Sequence, residues 1–275
     1  MARRPAAPGG PAGTGYGSGM PTALVTGATA GIGAAFTRHL AASGHRLVVV
    51  ARDAARLEQS RESLLSFGSP GVEVLAADLT DAGQRGAVAD RLARGDIDLL
   101  VNNAGIGLGK SFQTASEAEV LAQLDINVTA PTLLCHAAVP AMVARGHGGI
   151  INVASVAGLV PGRGTTYAAS KAYVISLSEG LSNALDGTGV RVQALCPGFV
   201  RTEFHQRAGI DMDKTPAWTY VDIDELIVTS LADLRANRVL SVPGRLYGAL
   251  AVAARLLPRT VVRRAAAKVD DGRRT

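Results

Sequence analysis

Short apolar runs rich in β-branched residues alternate with longer stretches of helical periodicity along most of the chain. Such runs, separated by helical stretches of one to two dozen residues, are typical of strands buried on both faces. The pattern therefore predicts a single α/β domain in which helices cover both faces of a parallel sheet. The predicted strands are Thr22–Thr26, Arg46–Ala51, Val72–Ala76, Ile97–Asn102, Gly149–Ala154, Val190–Leu195 and Val239–Val242.

The first strand leads into a glycine-rich turn, TGATAGIG, which runs from Thr26 to Gly33. Its three glycines allow a tight turn and a close approach of the backbone to a pyrophosphate. The amides at the start of the next helix, which is expected from about Ile32 to Ala42, would bind the same anion. The spacing differs from GxGxxG, so the position of the turn between a strand and a helix is what indicates a dinucleotide site.

The end of the second strand, within VVVARD, bears on the choice between the two nicotinamide dinucleotides. An acidic residue there binds the ribose 2′-hydroxyl of NAD(H), whereas an arginine accommodates the 2′-phosphate of NADP(H). Ala51 stands where the acid is expected and Arg52 follows it, which favours NADP(H). Asp53 keeps NAD(H) as the alternative, although its later position also suits the cap of the next helix.

Two further strand ends carry small or polar residues. Asp78 and Leu79 follow the third strand, where they would meet an adenine ring, and Asp78 would alternatively start a helix beside Thr80. The fourth strand ends in NNAG at 102–105, where small residues let a ligand approach the backbone. Both ends are expected at the sheet edge that binds cofactors.

The stretch from Ser155 to Lys171 holds a hydroxyl, a phenol and an ammonium. On a helix, the four-residue spacing of Tyr167 and Lys171 places both side chains on one face. A phenol ordinarily titrates near about pH 10, and a neighbouring cation favours the phenolate. Lys171 is therefore expected to lower the pKa of Tyr167 and to make acid–base chemistry feasible. Ser155 would donate to an oxygen that gains negative charge.

These motifs, in this order, resemble the classical short-chain dehydrogenase/reductase family. The resemblance covers about residues 21–244 and depends on the joint occurrence of several modest motifs. It implies a Rossmann-type, doubly wound parallel sheet of seven strands in the order 3-2-1-4-5-6-7. The matching elements are TGATAGIG at 26–33, Asp78, NNAG at 102–105, Asn127, Ser155, YAASK at 167–171, Pro197-Gly198 and Thr202.

The same resemblance implies roles for individual residues. Tyr167 is expected to act as general acid in carbonyl reduction or as base in alcohol oxidation, with Lys171 also binding the nicotinamide ribose. Ser155 would orient the substrate oxygen, and Asn127 would hold a water linking Lys171 to solvent, or alternatively be a satisfied buried amide. The expected cofactor contacts are Gly27, Thr29, Gly31, Ile32, Gly33, Arg52, Asp78, Leu79, Asn103, Ala104, Gly105, Tyr167, Lys171, Val200, and the carboxamide-framing Pro197, Gly198 and Thr202.

The implied activity is NADP(H)-dependent interconversion of a carbonyl and a secondary alcohol. The cofactor carries the hydride, while the protein supplies orientation and electrostatics. Reduction is the favoured direction because cells keep NADPH reduced. A non-catalytic NADP-binding regulator or scaffold is the alternative, and the intact Ser155, Tyr167 and Lys171 set argues against it.

Residues 199–222 occupy the place of a substrate-covering loop in the family. The segment mixes charges with Phe204, Met212, Trp218 and Tyr220, which suits a mobile lid over a partly apolar pocket. The alternative is that Trp218 anchors the loop on the core. The substrate itself cannot be named from this segment.

Residues 245–275 extend beyond the predicted catalytic domain. Packing of this helical extension on the fold or on a partner subunit is preferred over an amphipathic anchor on an anionic membrane. Similar tails in relatives that act on fatty acyl or steroid substrates imply a lipophilic substrate. A homo-oligomer is expected, with a dimer built on the helices that contain Asn127 and Tyr167. The apolar positions of the extension are Leu246, Leu250, Ala253, Leu257 and Val261, interrupted by Pro258.

Composition excludes several other classes of protein. A net charge of +5 with only 4% aromatic residues argues against a nucleic-acid-binding surface. Cys135 and Cys196 form no CxxC pair and the five histidines form no ligand motif, so a cytoplasmic location without a dedicated metal site is expected. Residues 1–20 are rich in proline and glycine and predict a disordered tail, with Met20 a second candidate start. No uncharged apolar run is long enough to span a membrane.

Overall fold

The structure is a computed structural model that describes residues 20–159, 165–204 and 216–256. Its strands form one parallel sheet in the order β3-β2-β1-β4-β5-β6-β7, which confirms the expected topology. The predicted ends shift by one or two residues. The strands are β1 Thr22–Thr26, β2 Arg46–Ala51, β3 Val72–Ala76, β4 Leu99–Asn102, β5 Gly148–Val153, β6 Val190–Leu195 and β7 Leu240–Ser241.

The centre of the sheet lies at β1, which pairs with β2 on one side and β4 on the other. Val25 of β1 is aligned with Val49 of β2 and Val101 of β4. The strand order reverses at this point, and a reversal opens a crevice outside the carboxyl ends of the strands. The topology therefore places the candidate cofactor site over the end of β1.

Helices cover both faces of the sheet. Alternate side chains of β1 point to opposite layers, so Ala23 and Val25 pack in the layer of α1 and α7, and Leu24 packs in the layer of α3 and α5. All three are fully buried. The helices are α1 Gly31–Ala42, α2 Ala54–Ser66, α3 Ala82–Ala93, α4 Glu117–Leu124, α5 Ala130–Arg145, α6 Thr165–Ala184, α7 Ile223–Arg235 and α8 Arg245–Leu256.

A π-helical segment, Asp125–Thr129, joins α4 to α5 without a break. The whole stretch Glu117–Arg145 is long and apolar enough to span a membrane by length and composition. The core helix of a globular protein meets the same criteria, and α5 packs on the sheet through Leu134, Ala138 and Met142. Within this stretch the structure shows a core helix with a local bulge, which is a feature often found at functional sites.

The helix α8 packs on the fold through a face that the sequence did not predict. Tyr247 and Ala251 are buried, whereas Leu246 and Leu250 are exposed. The physical reason is the aromatic ring of Tyr247, which fills the space above Gly198. Most of the predicted tail at 1–20, Met212, and the end of the extension from Leu257 lie outside the described residues.

Candidate active site

The carboxyl ends of the parallel strands bring the predicted motifs to one edge of the sheet. Each motif follows its strand directly, so the parallel arrangement alone places them side by side. None of them is displaced to the opposite edge. The residues in question are Gly27 after β1, Arg52 after β2, Asp78 after β3, Asn103 after β4, Ser155 after β5 and Pro197 after β6.

The glycine-rich turn is closely packed. Gly31 has a φ of 52°, a conformation that L side chains rarely adopt, and a Cβ at this position would meet Thr202 at 3.1 Å. A Cβ on Gly33 would overlap the carbonyl oxygen of Gly27. Both glycines are therefore required by the turn itself, and Thr202 lies against the turn, while its expected contact with the carboxamide stays a prediction.

The start of α1 fits a phosphate group. Its N-cap is Ala30, which supplies no side-chain hydrogen bond, and no acidic residue lies in its first turn. The first amides of a helix need acceptors, and the helix dipole favours an anion at this end. The chain thus leaves a site suited to the pyrophosphate of a dinucleotide.

Thr26 ties the glycine-rich turn to the NNAG turn and was not singled out by the sequence. Its hydroxyl accepts hydrogen bonds from the amides of Asn103 at 2.9 Å and Ala104 at 3.0 Å. The Asn103 side chain donates to the carbonyls of Thr26 at 2.9 Å and Gly27 at 3.2 Å. Asn103 thus holds the turn in place, and the sequence includes Thr26 in the TGATAGIG motif without indicating this link.

Arg52 and Asp53 have different environments. Asp53 caps α2 by accepting a hydrogen bond from the amide of Arg56 at 3.0 Å, which accounts for its position without a ribose. The guanidinium of Arg52 lies 3.9 Å from the carboxylate of Asp78, and 70% of its side chain is exposed. Burial raises the pKa of Asp78, but two hydrogen bonds from Thr80 and the charge of Arg52 hold it below its usual range. Arg52 is thus an accessible cation beside the adenosine end of the crevice.

Four of the predicted cofactor contacts direct their side chains into the core. Leu79 and Val200 are buried, and Ile32 and Ala104 are partly buried against the two core layers. Their side chains hold the turns in place. A contact of these residues with the cofactor through backbone atoms stays a prediction.

Ser155, Tyr167 and Lys171 come together between β5 and α6. The α6 helix carries Tyr167 and Lys171 on one face, with the ammonium 5.7 Å from the centre of the phenol ring. Lys171 is buried and donates to the carbonyl of Val153 at 2.8 Å. Ser155 hydrogen-bonds to the Tyr167 side chain and also caps a short 3₁₀ turn through the amide of Ala157.

The expectation that Tyr167 has a lowered pKa is wrong for the protein alone, where burial dominates. Burial raises the pKa of Tyr167 to about 12, and the hydrogen bond with Ser155 opposes this rise. Burial also lowers the pKa of Lys171 to about 8. At neutral pH the phenol is therefore protonated and able to donate a proton, and the ammonium is charged.

Asn127 lies in the π-helical segment and is buried. Its oxygen accepts a hydrogen bond from the amide of Ile106 at 3.0 Å, and its nitrogen donates to the carbonyl of Ile106 at 2.9 Å and to Ser170 at 3.2 Å. A Cβ on Gly105 would lie 2.9 Å from the Asn127 oxygen and 3.5 Å from the Lys171 ammonium. The amide is satisfied, as the alternative interpretation expected, and it stands beside Lys171, as the resemblance implies.

Residues 21–213 match the family described as short chain dehydrogenase. The chain belongs to this family. An NADP-dependent 3-hydroxy acid dehydrogenase from Salmonella typhi is 36% identical over an alignment of 239 residues, and the match covers 80% of this chain and 94% of the relative. This short-chain dehydrogenase is thus an oxidoreductase that acts on CH–OH and C=O groups.

Solved structures of other members share the fold. A short-chain dehydrogenase from Sphingobium yanoikuyae in complex with NADPH is 37% identical, with a TM-score of 0.80 over 86% of this chain and 94% of that chain. A bulky-bulky ketone specific alcohol dehydrogenase from Comamonas testosteroni is 33% identical, with a TM-score of 0.75 over 86% of this chain and 92% of that chain. The relatives confirm the prediction that the cofactor is NADP(H).

The loop after β6 of this short-chain dehydrogenase is held from two sides. The carbonyl of Pro197 accepts a hydrogen bond from the amide of Val156 at 3.1 Å. A Cβ on Gly198 would overlap the ring of Tyr247, so a helix of the extension fixes the loop that carries Thr202. The contact with Tyr247 therefore requires a glycine at position 198, and the motif alone did not predict this contact.

Arg56 connects the glycine-rich turn to the loop after β6. Arg56 of α2 donates to the carbonyl of Thr29 at 3.5 Å and to the carboxylate of Glu203 at 3.4 Å. The predicted contact residue Thr29 is thereby joined to α2 and to the segment after β6. Neither Arg56 nor Glu203 belongs to a motif, so this contact could not be predicted from the sequence.

The beginning of the predicted lid lies against the catalytic phenol. The rings of Phe204 and Tyr167 are 5.7 Å apart and inclined by 42°. Trp218 is 73% exposed, which contradicts the alternative in which it anchors the loop on the core. Within the described part of the segment, Phe204 is thus the aromatic residue nearest the chemistry.

A cavity of about 30 Å³ opens beside Tyr167 in this short-chain dehydrogenase. Its other walls come from the loop between β4 and α4, from α4 itself and from the start of α6. Gln123 is fully buried there, its nitrogen donates to the carbonyl of Ile106 at 3.2 Å, and its oxygen has no partner among the described residues. The residues that line the cavity include Leu108, Lys110, Phe112, Gln123, Thr166 and Tyr167.

Proposed function

We propose that this protein reduces a carbonyl compound to the corresponding alcohol with NADPH, and that Tyr167 is the general acid. The observation that carries the proposal is the grouping of a protonated Tyr167, its hydrogen-bonded neighbour Ser155 and the buried cation Lys171 at one point of the sheet edge. Tyr167 donates its proton to the oxygen that gains negative charge, and Ser155 orients that oxygen by a hydrogen bond.

Tyr167 has its proton available for a reduction. Burial raises the pKa of the phenol to about 12, so at neutral pH it is protonated and can donate to the substrate oxygen. Reduction is the proposed direction because cells keep NADPH reduced. The charge of Lys171 lies within reach of the ring and stabilises the phenolate as it forms after the transfer.

The proton lost by Tyr167 must be replaced from solvent. Asn127 and Lys171 lie on either side of Gly105, and the Asn127 oxygen retains acceptor capacity beyond its bond with the Ile106 amide. We propose that Asn127 accepts a hydrogen bond from a water molecule that links Lys171 to solvent. The π-helical bulge is what turns its side chain towards the Ile106 backbone.

The residues present fit NADP(H), which supplies a hydride from its nicotinamide ring when bound. The start of α1 and the glycine-rich turn would hold the pyrophosphate, and Arg52 would hold the 2′-phosphate. Lys171 would contact the nicotinamide ribose, and Thr202 would contact the carboxamide. The NADPH present in the Sphingobium structure supports these assignments.

The substrate is expected to carry an apolar part next to its carbonyl. Phe204 packs on Tyr167, and Leu108 and Phe112 line the cavity beside it. The Comamonas relative is named for bulky ketones, and the Salmonella relative for 3-hydroxy acids. A carbonyl compound with a lipophilic part next to its carbonyl is therefore the proposed substrate class.

A homodimer is the proposed assembly. Apolar side chains remain exposed on the helices around Asn127 and Tyr167, namely Leu121, Leu133 and Tyr173. Light scattering after size exclusion should give twice the mass of the chain, and Leu133→Glu should shift it towards the monomer. An unchanged dimer in that variant would move the proposed interface elsewhere.

The decisive experiment follows a labelled hydride. NADPH deuterated at the transferable C4 position is incubated with the protein and a panel of ketones and aldehydes. The expected result is consumption of NADPH and an alcohol that carries deuterium at the former carbonyl carbon. Tight NADPH binding without turnover of any carbonyl compound would favour the alternative, a non-catalytic NADP-binding regulator or scaffold.

A further inference from the structure

The cavity beside Tyr167 has two chemically different walls. Leu108 and Phe112 contribute apolar surface, whereas Lys110, Gln123 and Thr166 contribute polar groups. The cavity has a volume of about 30 Å³ and opens to solvent at a rim formed by these side chains, so a substituent next to the carbonyl contacts them. The residues at the rim therefore decide which substituents are accepted.

Of the described residues that line the cavity, Lys110 alone carries a full positive charge. It lies in the loop between β4 and α4, and its side chain is 40% exposed. Its ammonium is 2.7 Å from one carboxylate oxygen of Glu119, on the first turn of α4. The ammonium of Lys110 thus lies at the cavity mouth, where it forms an ion pair with Glu119.

The pair of Lys110 and Glu119 can separate without leaving a buried charge. Glu119 belongs to the capping box of α4, and its other oxygen accepts hydrogen bonds from the amide of Ser116 at 2.9 Å and from its hydroxyl at 3.0 Å. Glu119 keeps these two bonds if Lys110 turns away, and it is 42% exposed to water. The capping box therefore holds the carboxylate in place while the flexible lysine is able to change partner.

We propose that Lys110 binds a carboxylate on the substrate, so that the substrate class of this enzyme is an oxo acid reduced to a hydroxy acid. This inference rests on the proposed function and specifies its substrate. The carbonyl of the substrate lies at Tyr167, the methylene chain lies against Leu108 and Phe112, and the carboxylate replaces Glu119 as the partner of Lys110. The step adds a hydride to the carbonyl carbon and a proton to its oxygen, and the carboxylate is unchanged.

The test compares acids with their neutral esters. The probes are 3-oxobutanoate, 4-oxopentanoate and 5-oxohexanoate, each with its methyl ester, so that the distance between the carbonyl and the carboxylate varies. NADPH consumption is measured for the wild type, Lys110→Gln, Lys110→Arg and Glu119→Gln. Arg61→Gln is the matched control, because Arg61 forms a similar exposed pair with Glu58 on α2.

At least one acid should be a better wild-type substrate than its ester. Lys110→Gln should raise KM for that acid about tenfold, as expected for loss of one charged hydrogen bond, with kcat and the ester unchanged. Lys110→Arg should retain the preference. Glu119→Gln, which can keep the capping box, should lower KM for the acid by removing the competing carboxylate. Added salt should raise KM for the acid but not for the ester.

The result that overturns the inference is a wild-type enzyme without preference for any acid, or a preference that survives in Lys110→Gln. If the neutral ketones of the wider panel are still reduced, the proposed function stands and only the oxo-acid assignment falls. If no carbonyl compound is reduced at all, both fall together. An equal effect of Arg61→Gln would also overturn the inference, because it would indicate a general charge effect.

Discussion

The hydroxyl of Tyr247, on the C-terminal helix α8, is hydrogen-bonded to the backbone of Phe199, the residue that follows the Pro197-Gly198 motif. The hydroxyl accepts a hydrogen bond from the Phe199 amide at 3.2 Å and donates to the carbonyl of Thr219 at 2.7 Å. The ring covers Gly198 so closely that no side chain fits there. The extension beyond β7 thus holds both described ends of segment 199–222, which is predicted to cover the active site.

Tyr247→Phe should weaken both the fold and the site. The variant leaves the Phe199 amide without its partner, which should lower the free energy of unfolding by about 1–2 kcal/mol. The loop that carries Thr202 should loosen, and the Kd for NADPH should rise. Denaturant unfolding and a fluorescence titration with NADPH measure the two effects. Phe67→Leu, at an exposed position at the end of α2, is the control, and equal effects of the two variants would contradict the role of Tyr247.

Arg52→Ala should change the choice of cofactor. Loss of the exposed guanidinium removes a charged partner for the 2′-phosphate, so the Kd for NADPH should rise by about tenfold to a hundredfold. The Kd for NADH should stay the same. Titration with both cofactors measures the difference, with Arg61→Ala, an exposed arginine on α2, as the control. A parallel loss of NADH binding would show that Arg52 acts through the fold and not through the phosphate.

Gly33→Ala and Gly180→Ala should have opposite effects. The added methyl at position 33 overlaps the carbonyl oxygen of Gly27, so the turn must shift, at a cost of about 1–3 kcal/mol and with loss of NADPH binding. At position 180, inside α6, a Cβ meets no atom within 4 Å, and alanine should stabilise the helix by about 0.5–1 kcal/mol. Thermal unfolding and NADPH titration test both. Normal NADPH binding by Gly33→Ala would refute the assigned turn geometry.

The burial of Lys171 should make stability depend on pH. Its pKa falls from 10.5 when unfolded to about 8 in the fold, so between these values the unfolded chain binds more protons and stability rises with pH. The gain relative to Lys171→Met should approach about 3 kcal/mol across this window. The raised pKa of Tyr167 acts in the opposite direction above its ordinary value of 10.0. Urea unfolding of both proteins across the window measures the difference, and parallel curves would contradict a buried ammonium.

The fold and most of the site were predictable because they depend on order along the chain. Seven apolar runs separated by helices fix a parallel sheet, and a parallel sheet brings Gly27, Arg52, Asp78 and Ser155 to one edge whatever the details of packing. The four-residue spacing of Tyr167 and Lys171 needed only a helix, and α6 supplies it.

The features that were missed depend on contacts between distant segments. The pKa of Tyr167 is set by burial, which no spacing reveals. The buried face of α8 is set by the fit of Tyr247 over Gly198, nearly 50 residues earlier, and the helical period alone favoured Leu246 and Leu250. Lys110 belongs to no motif, and only its position at the cavity beside Tyr167 suggests a role in substrate binding.

The most direct test of the central claim compares the wild type with Tyr167→Phe, using NADPH and a carbonyl compound that the wild type reduces. The variant removes the proton donor and keeps the ring that packs on Phe204. The turnover number should fall by about a hundredfold to ten-thousandfold, as expected for loss of a general acid. The Kd for NADPH should stay within a few-fold of the wild-type value. Retained turnover in Tyr167→Phe would contradict the assignment of Tyr167 as the catalytic acid.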